Sequence, residues 1–208
     1  MLRKLRKKYG PETTLDRVSA FRDPFKVLIA TVLSQRTRDE VTDEATKRLF
    51  ARFPTVQALA KAPVDAIATL IKPVGFYPTK ARRIRDISEK ILKKYRGIVP
   101  GTMKELIELH GVGPKTAACV LIYGYGLPAV AVDTHVNRVC QRLGWVNEGT
   151  KPEKTQEFLG KHLMPSQKLQ INSSFVSFGK DICRPIRPQC TRCSFTSFCS
   201  YYRRKLHA

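Results

Sequence analysis

The sequence predicts an all-α protein. Apolar residues recur at helical spacing: Phe25, Leu28, Ile29, Val32 and Leu33 in one stretch, and Ala81, Ile84, Ile87, Ile91, Leu92 and Tyr95 in another. Pro54, Pro63, Pro73, Pro78, Pro100, Pro128, Pro152 and Pro165 fall between such stretches, where a chain breaker belongs. Only Ala129–Val132 resembles a strand, and no second run nearby could pair with it.

Taken in order, Asp23-Pro24 opens the first clear helix, since aspartate is a preferred N-cap and proline suits the first turn. The pattern then predicts helices over about 38–52, 63–71, 79–95, 102–109, 114–125, 134–143, 152–163 and 167–180. In the 79–95 helix the apolar stripe leaves the eight basic residues from Lys80 to Arg96 for the outer face. The longest apolar stretch, around Phe25–Leu33, is interrupted by Lys26 and too short to span a bilayer. The N-terminus is basic but lacks the apolar core of a secretory signal. A soluble, intracellular monomer without membrane partners is expected.

Charge narrows the partner. The 208 residues carry 38 Lys+Arg against 17 Asp+Glu, a formal +21, which points to a polyanion such as nucleic acid. The excess is clustered. Arg3, Lys4, Arg6, Lys7 and Lys8 lie at one end, and Arg184, Arg187, Arg192, Arg203, Arg204 and Lys205 at the other.

The segment "ELIELHGVGPKTAACVL" reads as helix, tight turn, helix. Gly111 and Gly113 permit a sharp turn and close approach, and Pro114 suits the first helical position. Amides of such a turn can hold a phosphate of DNA, which positions a protein on the duplex without reading bases. Lys115 follows at once, with Ala118, Cys119 and Ile122 on its own face and Ala117, Val120 and Leu121 on the others. A lysine at the head of a helix buried all round would lose its proton easily and become an amine nucleophile. The competing reading is a lysine that snorkels out to a phosphate. Asp133, in "VDTHV", is placed to cap the helix after it, and a capping carboxylate is both fixed and ionised. An amine with an immobile carboxylate at a DNA-binding hairpin suits attack on a sugar carbon.

Four of the six cysteines fall in "CRPIRPQCTRCSFTSFC", at Cys183, Cys190, Cys193 and Cys199. Four thiolates satisfy either a tetrahedral zinc or a cubane iron–sulfur cluster, and spacing leaves both open. Disulfides do not fit an intracellular protein. Cys119 and Cys140 lie in apolar helical patterns and read as core.

The sequences "LHGVGPKTAACV", "YGYGLP" and "VDTHVNRV", with the C-x6-C-x2-C-x5-C tail, resemble the endonuclease III family of helix-hairpin-helix DNA glycosylases, from about Pro24 to Cys199. The resemblance implies two helical lobes. One is a helical barrel over 18–127, with its helix-hairpin-helix at about 103–125. The other combines 1–17 with 128–208 and carries a [4Fe–4S] cluster in the loop 183–199. It also implies a bifunctional DNA glycosylase/AP lyase of base excision repair, acting on duplex DNA that contains damaged pyrimidines or abasic sites. Lys115 would be the nucleophile, Asp133 the essential carboxylate, and Cys183, Cys190, Cys193 and Cys199 the cluster ligands. Gly111, Gly113, Arg184 and Arg187 would meet DNA phosphates, and His135 would line the pocket or bind phosphate. Arg36 stands where relatives often have a glutamine that fills the gap left by the flipped nucleotide, and Phe76 where a leucine-like wedge is usual. The alternatives are a mismatch-specific thymine/uracil or adenine glycosylase, and a non-catalytic helix-hairpin-helix DNA-binding protein.

Overall fold

The computed structural model describes residues 1–9 and 23–206. The described residues are all-helical: twelve α-helices, a π turn and two short 3-10 turns, with no strand. None of these helices is long and apolar enough to cross a membrane. The chain divides into two compact units, Met1–Thr13 with Pro128–Ala208, and Thr14–Leu127.

The unit Thr14–Leu127 is built on α2 (Pro24–Ser34). Asp23 caps it as expected, its Oδ1 accepting from the amides of Phe25 at 3.0 Å and Lys26 at 3.1 Å. Every residue from Val27 to Leu33 is buried, so this helix forms the axis of the core. Around it stand α3 (Asp39–Arg52), α6 (Tyr77–Tyr95), α8 (Pro114–Cys119) and a π turn, Val120–Gly124. Helices α4 (Val56–Lys61) and α5 (Val64–Ile71) pack along α6, and α7 (Met103–Ile107) leads into the Gly111 turn. The helix expected over 114–125 therefore loses α geometry after Cys119. Its widened turn lies where a side chain on Gly124 would press within 2.7 Å of the Cα of Pro24.

Helix α6 corrects one expectation. Ala81, Ile84, Ile87 and Ile91 are buried as the stripe requires, but so is Lys80, at 3% exposure, although the pattern assigns it to the outer face.

The second unit gathers α9 (Thr134–Leu143), α10 (Pro152–His162), α11 (Pro165–Asp181), α12 (Ser200–Leu206) and α1 (Leu2–Tyr9). The basic segment 3–8 thus lies within a helix. Leu5 and Tyr9 bury one side of it against α11, and its cations stay exposed. The strand-like Ala129–Val132 takes no regular structure and forms no strand among the described residues. Val130 and Val132 enter the core, and the Ala131 carbonyl accepts from the side-chain amide of Asn172 at 3.0 Å.

Candidate functional site

Lys115 is the second residue of α8, immediately after the turn. Thr116 to Cys119 are buried, but Lys115 itself is only half-buried, with exposed Gly113 and Pro114 beside it. The apolar surroundings expected from the sequence are real for its neighbours. The lysine stands at their rim, because its place in the chain precedes the turn of α8 that packs on α2 and α7. Gly111 has φ +81, a left-handed conformation that favours glycine. Gly113 is different: its φ is −90, and a side chain there would meet nothing within 4 Å among the described residues. Its backbone is therefore bare towards whatever approaches from outside.

Arg36 and Phe76 are far apart in sequence and adjacent in space. Both take positive φ, 52 and 58, which is uncommon for side-chain-bearing residues. The Arg36 guanidinium lies over the Phe76 ring at 5.9 Å, and Phe76 is 63% exposed. Beneath them Lys80 donates to the carbonyl of Leu33 at 2.7 Å, to the carbonyl of Gln35 and to the Thr37 hydroxyl at 3.1 Å. Burial, with the Arg83 charge adding to it, pulls the Lys80 pKa down to about 8. The Gln35 side-chain amide reaches the Gly111 carbonyl at 3.4 Å and the Thr116 hydroxyl at 3.5 Å, and Arg83 donates to its carbonyl at 3.3 Å. Sequence reading gave Lys80, Gln35 and Arg83 no role. A lysine in a basic helix carries no signal of burial.

In the other unit, Asp133 caps α9, accepting from the Val136 amide at 2.8 Å. His135 is half-buried on the same helix, its Nδ1 3.1 Å from an Arg138 nitrogen. Burial holds its imidazole below the ordinary pKa, Asp133 opposes this, and Arg138 and Lys180 add to it. A side chain on Gly179 would press on that ring and on Arg138 at 3.0 Å, so a glycine is what lets both approach α11 this closely.

Cys183, Cys190, Cys193 and Cys199 line one pocket together with Val139, Leu143, Phe178, Ile182 and Tyr201. Burial raises the Cys190 and Cys193 thiols and the neighbouring sulfurs raise them further, while Lys205 and Arg142 oppose this at Cys190 and a backbone hydrogen bond from Phe195 opposes it at Cys193. Among the described residues, no three His, Cys, Asp or Glu side chains meet around a single ion. The loop is held from α9 by two arginines that sequence reading also passed over. Arg138 donates to the carbonyls of Cys183 at 3.0 Å and Gly179 at 2.9 Å. Arg142 donates to the carbonyls of Arg184 at 2.6 Å and Pro185 at 2.9 Å, and lies 3.5 Å from the Cys183 sulfur. Arg187 is exposed at φ 49. Arg184 is exposed too, but its Nε turns back onto the carbonyls of Lys180 and Asp181, so part of this side chain closes the end of α11.

A family model described as HhH-GPD superfamily base excision DNA repair protein matches residues 29–165. Endonuclease III of Thermotoga maritima is 51% identical over 88% of this chain and 85% of its own length. Two longer plant relatives match over about half of theirs. A solved structure described as a trapped endonuclease III–DNA covalent intermediate superposes with a TM-score of 0.88 at 32% identity, covering 99% of this chain and 95% of that one. A thermostable thymine-DNA glycosylase superposes with a TM-score of 0.84 at 25% identity, over 97% and 98%.

Proposed function

The chain belongs to the HhH-GPD superfamily of base excision DNA repair proteins, and from that premise we propose that it is a bifunctional DNA glycosylase/AP lyase. It excises oxidised or otherwise damaged pyrimidines from duplex DNA and cuts the strand 3′ to the site. The observation that carries this reading is Lys115: an amine at the start of α8, behind the Gly111 turn, in a chain 51% identical to an endonuclease III.

The damaged nucleotide leaves the stack, because C1′ is out of reach inside it. The neutral Lys115 amine bonds to C1′ as the bond from C1′ to the base breaks, and the base departs with a proton. Asp133, fixed by its cap hydrogen bond, stabilises the positive character that develops on the sugar. Ring opening gives a Schiff base, and loss of a C2′ proton expels the 3′ phosphate. The bare backbone at Gly113, the left-handed turn at Gly111, and Arg187, with the outer part of Arg184, meet phosphates. His135, kept neutral by burial, lines the pocket. Arg36 and Phe76 fill the space that the extruded nucleotide vacates.

The four cysteines suit a [4Fe–4S] cluster. They line one pocket, and four thiolates from one encircling loop are the ligand set such a cluster takes. Cys183, Cys190, Cys193 and Cys199 would hold the cluster, whose ligation would order the 184–189 loop and leave base removal to Lys115 and Asp133. Iron and sulfide at four atoms each per chain in freshly prepared protein is the expected analysis, and stoichiometric zinc without iron would exclude it.

The decisive experiment is borohydride reduction during turnover on duplexes that each carry one modified base. A covalent protein–DNA adduct mapping to Lys115 is expected, together with strand cleavage. A second reading, mismatch-specific removal of thymine or uracil, draws on the likeness to the thymine-DNA glycosylase. Base release from a G·T mismatch without trapping or cleavage would favour it.

A further inference from the structure

Lys80 is the buried charge that the chemistry above leaves unused. Its ammonium has three protons and meets three acceptors: the Leu33 carbonyl, the Gln35 carbonyl and the Thr37 hydroxyl. The Leu33 carbonyl is one of the last four of α2, which have no partner inside their own helix. A cation at that end also meets the negative pole of the helix. The other two acceptors flank Arg36, so the lysine holds the Gln35 carbonyl on one side and the Thr37 side chain on the other of a residue at φ 52. The second left-handed turn rests on the first. A side chain on Gly75 would lie 3.0 Å from the Arg36 carbonyl, which leaves no room between them. Phe76 follows Gly75, and its ring is covered by the Arg36 guanidinium at 5.9 Å.

Two side-chain-bearing residues in strained conformations, stacked on each other and largely exposed, persist only where their surroundings over-determine them. Lys80 is what over-determines them. We propose that Lys80 is a positioning residue: by pinning the Leu33–Thr37 turn beneath the Gly75–Phe76 turn, it presents Arg36 and Phe76 as one preformed wedge that enters the duplex where a nucleotide leaves. The proposal rests on the glycosylase reading above. Gln35 extends the same frame, since its side chain ties the pinned turn to Gly111 and Thr116 on either side of the catalytic hairpin. A wedge already in shape has no ordering cost on entry, and opening of the stack then depends on the frame rather than on the two side chains alone.

The test separates this role from simple stability. A duplex with 2-aminopurine beside a tetrahydrofuran abasic analogue, which cannot be cleaved, brightens when the neighbouring stack is opened. The unsubstituted protein is expected to produce that rise. Lys80→Met, checked for native helicity by circular dichroism, is expected to reduce the stack-opening equilibrium roughly tenfold to a hundredfold, as displaced wedge geometry would. Affinity for an intact duplex of the same length should not change. In an Arg36→Ala/Phe76→Ala background the same Lys80→Met change should have no further effect on the fluorescence. If Lys80→Met fails to fold, Thr37→Val removes one of the three acceptors from a partly exposed position, and a smaller loss in the same signal is expected. Undiminished opening by a folded Lys80→Met protein, or by Thr37→Val, would overturn the proposal. So would an equal loss with and without Arg36 and Phe76. If the unsubstituted protein left the stack closed, the glycosylase reading itself would fall.

Discussion

Two lysines occupy the first turns of two helices in the same unit, and their surroundings are the reverse of what their sequences suggest. Lys115, in α8, is followed by small and apolar residues that are all buried, yet it stays half-exposed. Lys80, in α6, is surrounded by arginines in a basic helix, yet it is 3% exposed with three hydrogen bonds. The difference lies across the helix rather than along it. Lys80 points at the end of α2 and the turn after it, where the Leu33 and Gln35 carbonyls and the Thr37 hydroxyl accept its hydrogen bonds. Lys115 follows Gly113, beside which a side chain would meet nothing within 4 Å among the described residues. A reactive amine needs access to its substrate, and a structural one needs enclosure, so the exposed lysine suits chemistry and the buried one suits architecture.

The largest effect that could break this division is loss of the wrong activity. Lys115→Gln should abolish strand cleavage and borohydride trapping while leaving the thermal midpoint within a few degrees of the parent, since a half-exposed side chain contributes little to packing. Normal cleavage by Lys115→Gln, or trapping at another lysine, would end the assignment of the nucleophile.

Lys80→Met should do the opposite. It leaves the chemical groups in place but strips two buried carbonyls and a hydroxyl of their donor. Hydrogen bonds to a charged group are worth about 1.5–3 kcal/mol each, and relief from burying the charge offsets part of the loss. A net destabilisation of about 2–4 kcal/mol is expected, read as a lower urea midpoint at unchanged slope. A neutral or stabilising result would show that the methyl-capped chain fills the site as well as the ammonium does.

How far such assignments can be made from sequence alone depends on whether the deciding contact is local. The cap at Asp133 and the start of α2 at Asp23-Pro24 were legible, because an N-cap is decided within four residues. So were the buried stripe of α6 and the all-helical class. Helix α1 was passed over in favour of its charge, although Leu2, Leu5 and Tyr9 carry a helical stripe. Ala129–Val132 was ambiguous because four apolar residues fit a strand as well as an irregular segment whose carbonyl is met by Asn172. Gln35, Arg138 and Arg142 carry no readable signal, and the pattern places Lys80 on the wrong face. Each is defined by carbonyls between 41 and 76 residues away in the chain, and no local pattern encodes which carbonyls those will be.

A smaller effect sharpens the comparison at the hairpin itself. Gly111→Ala forces a side chain into φ +81 and against Arg83, and should cost about 1 kcal/mol or more. Gly113→Ala has ordinary φ and empty space around it, so it should leave the urea midpoint unchanged or slightly raised. If the bare backbone at Gly113 is where a phosphate approaches, Gly113→Ala should nevertheless weaken duplex binding, with a loss similar for damaged and plain DNA. Binding identical to the parent would mean that nothing comes close there.

A third lysine supplies the exposed limit. Lys8 donates to Asp181 at 2.9 Å, and Tyr9 donates to the same carboxylate oxygen at 2.8 Å, so the pair fastens α1 near the end of α11. The Lys8 hydrogen bond, then that of Tyr9, holds the Asp181 pKa below its ordinary value. A carboxylate lowered in this way contributes fully above its ordinary pKa and loses that contribution as pH falls through the lowered one. Fastening of α1 should therefore be constant from neutral pH down to the ordinary carboxylate range and weaken only below it. Both side chains are solvent-accessible, so salt screens the pair and the whole effect should be the smallest of the series. Amide exchange of residues 2–9 at pH 3 and pH 6, corrected for intrinsic rates, measures it. Asp181→Asn should make the two values equal by removing the pH-dependent part. A pH dependence that survives Asp181→Asn would place the responsible carboxylate elsewhere, and Lys8 would then be only a surface cation.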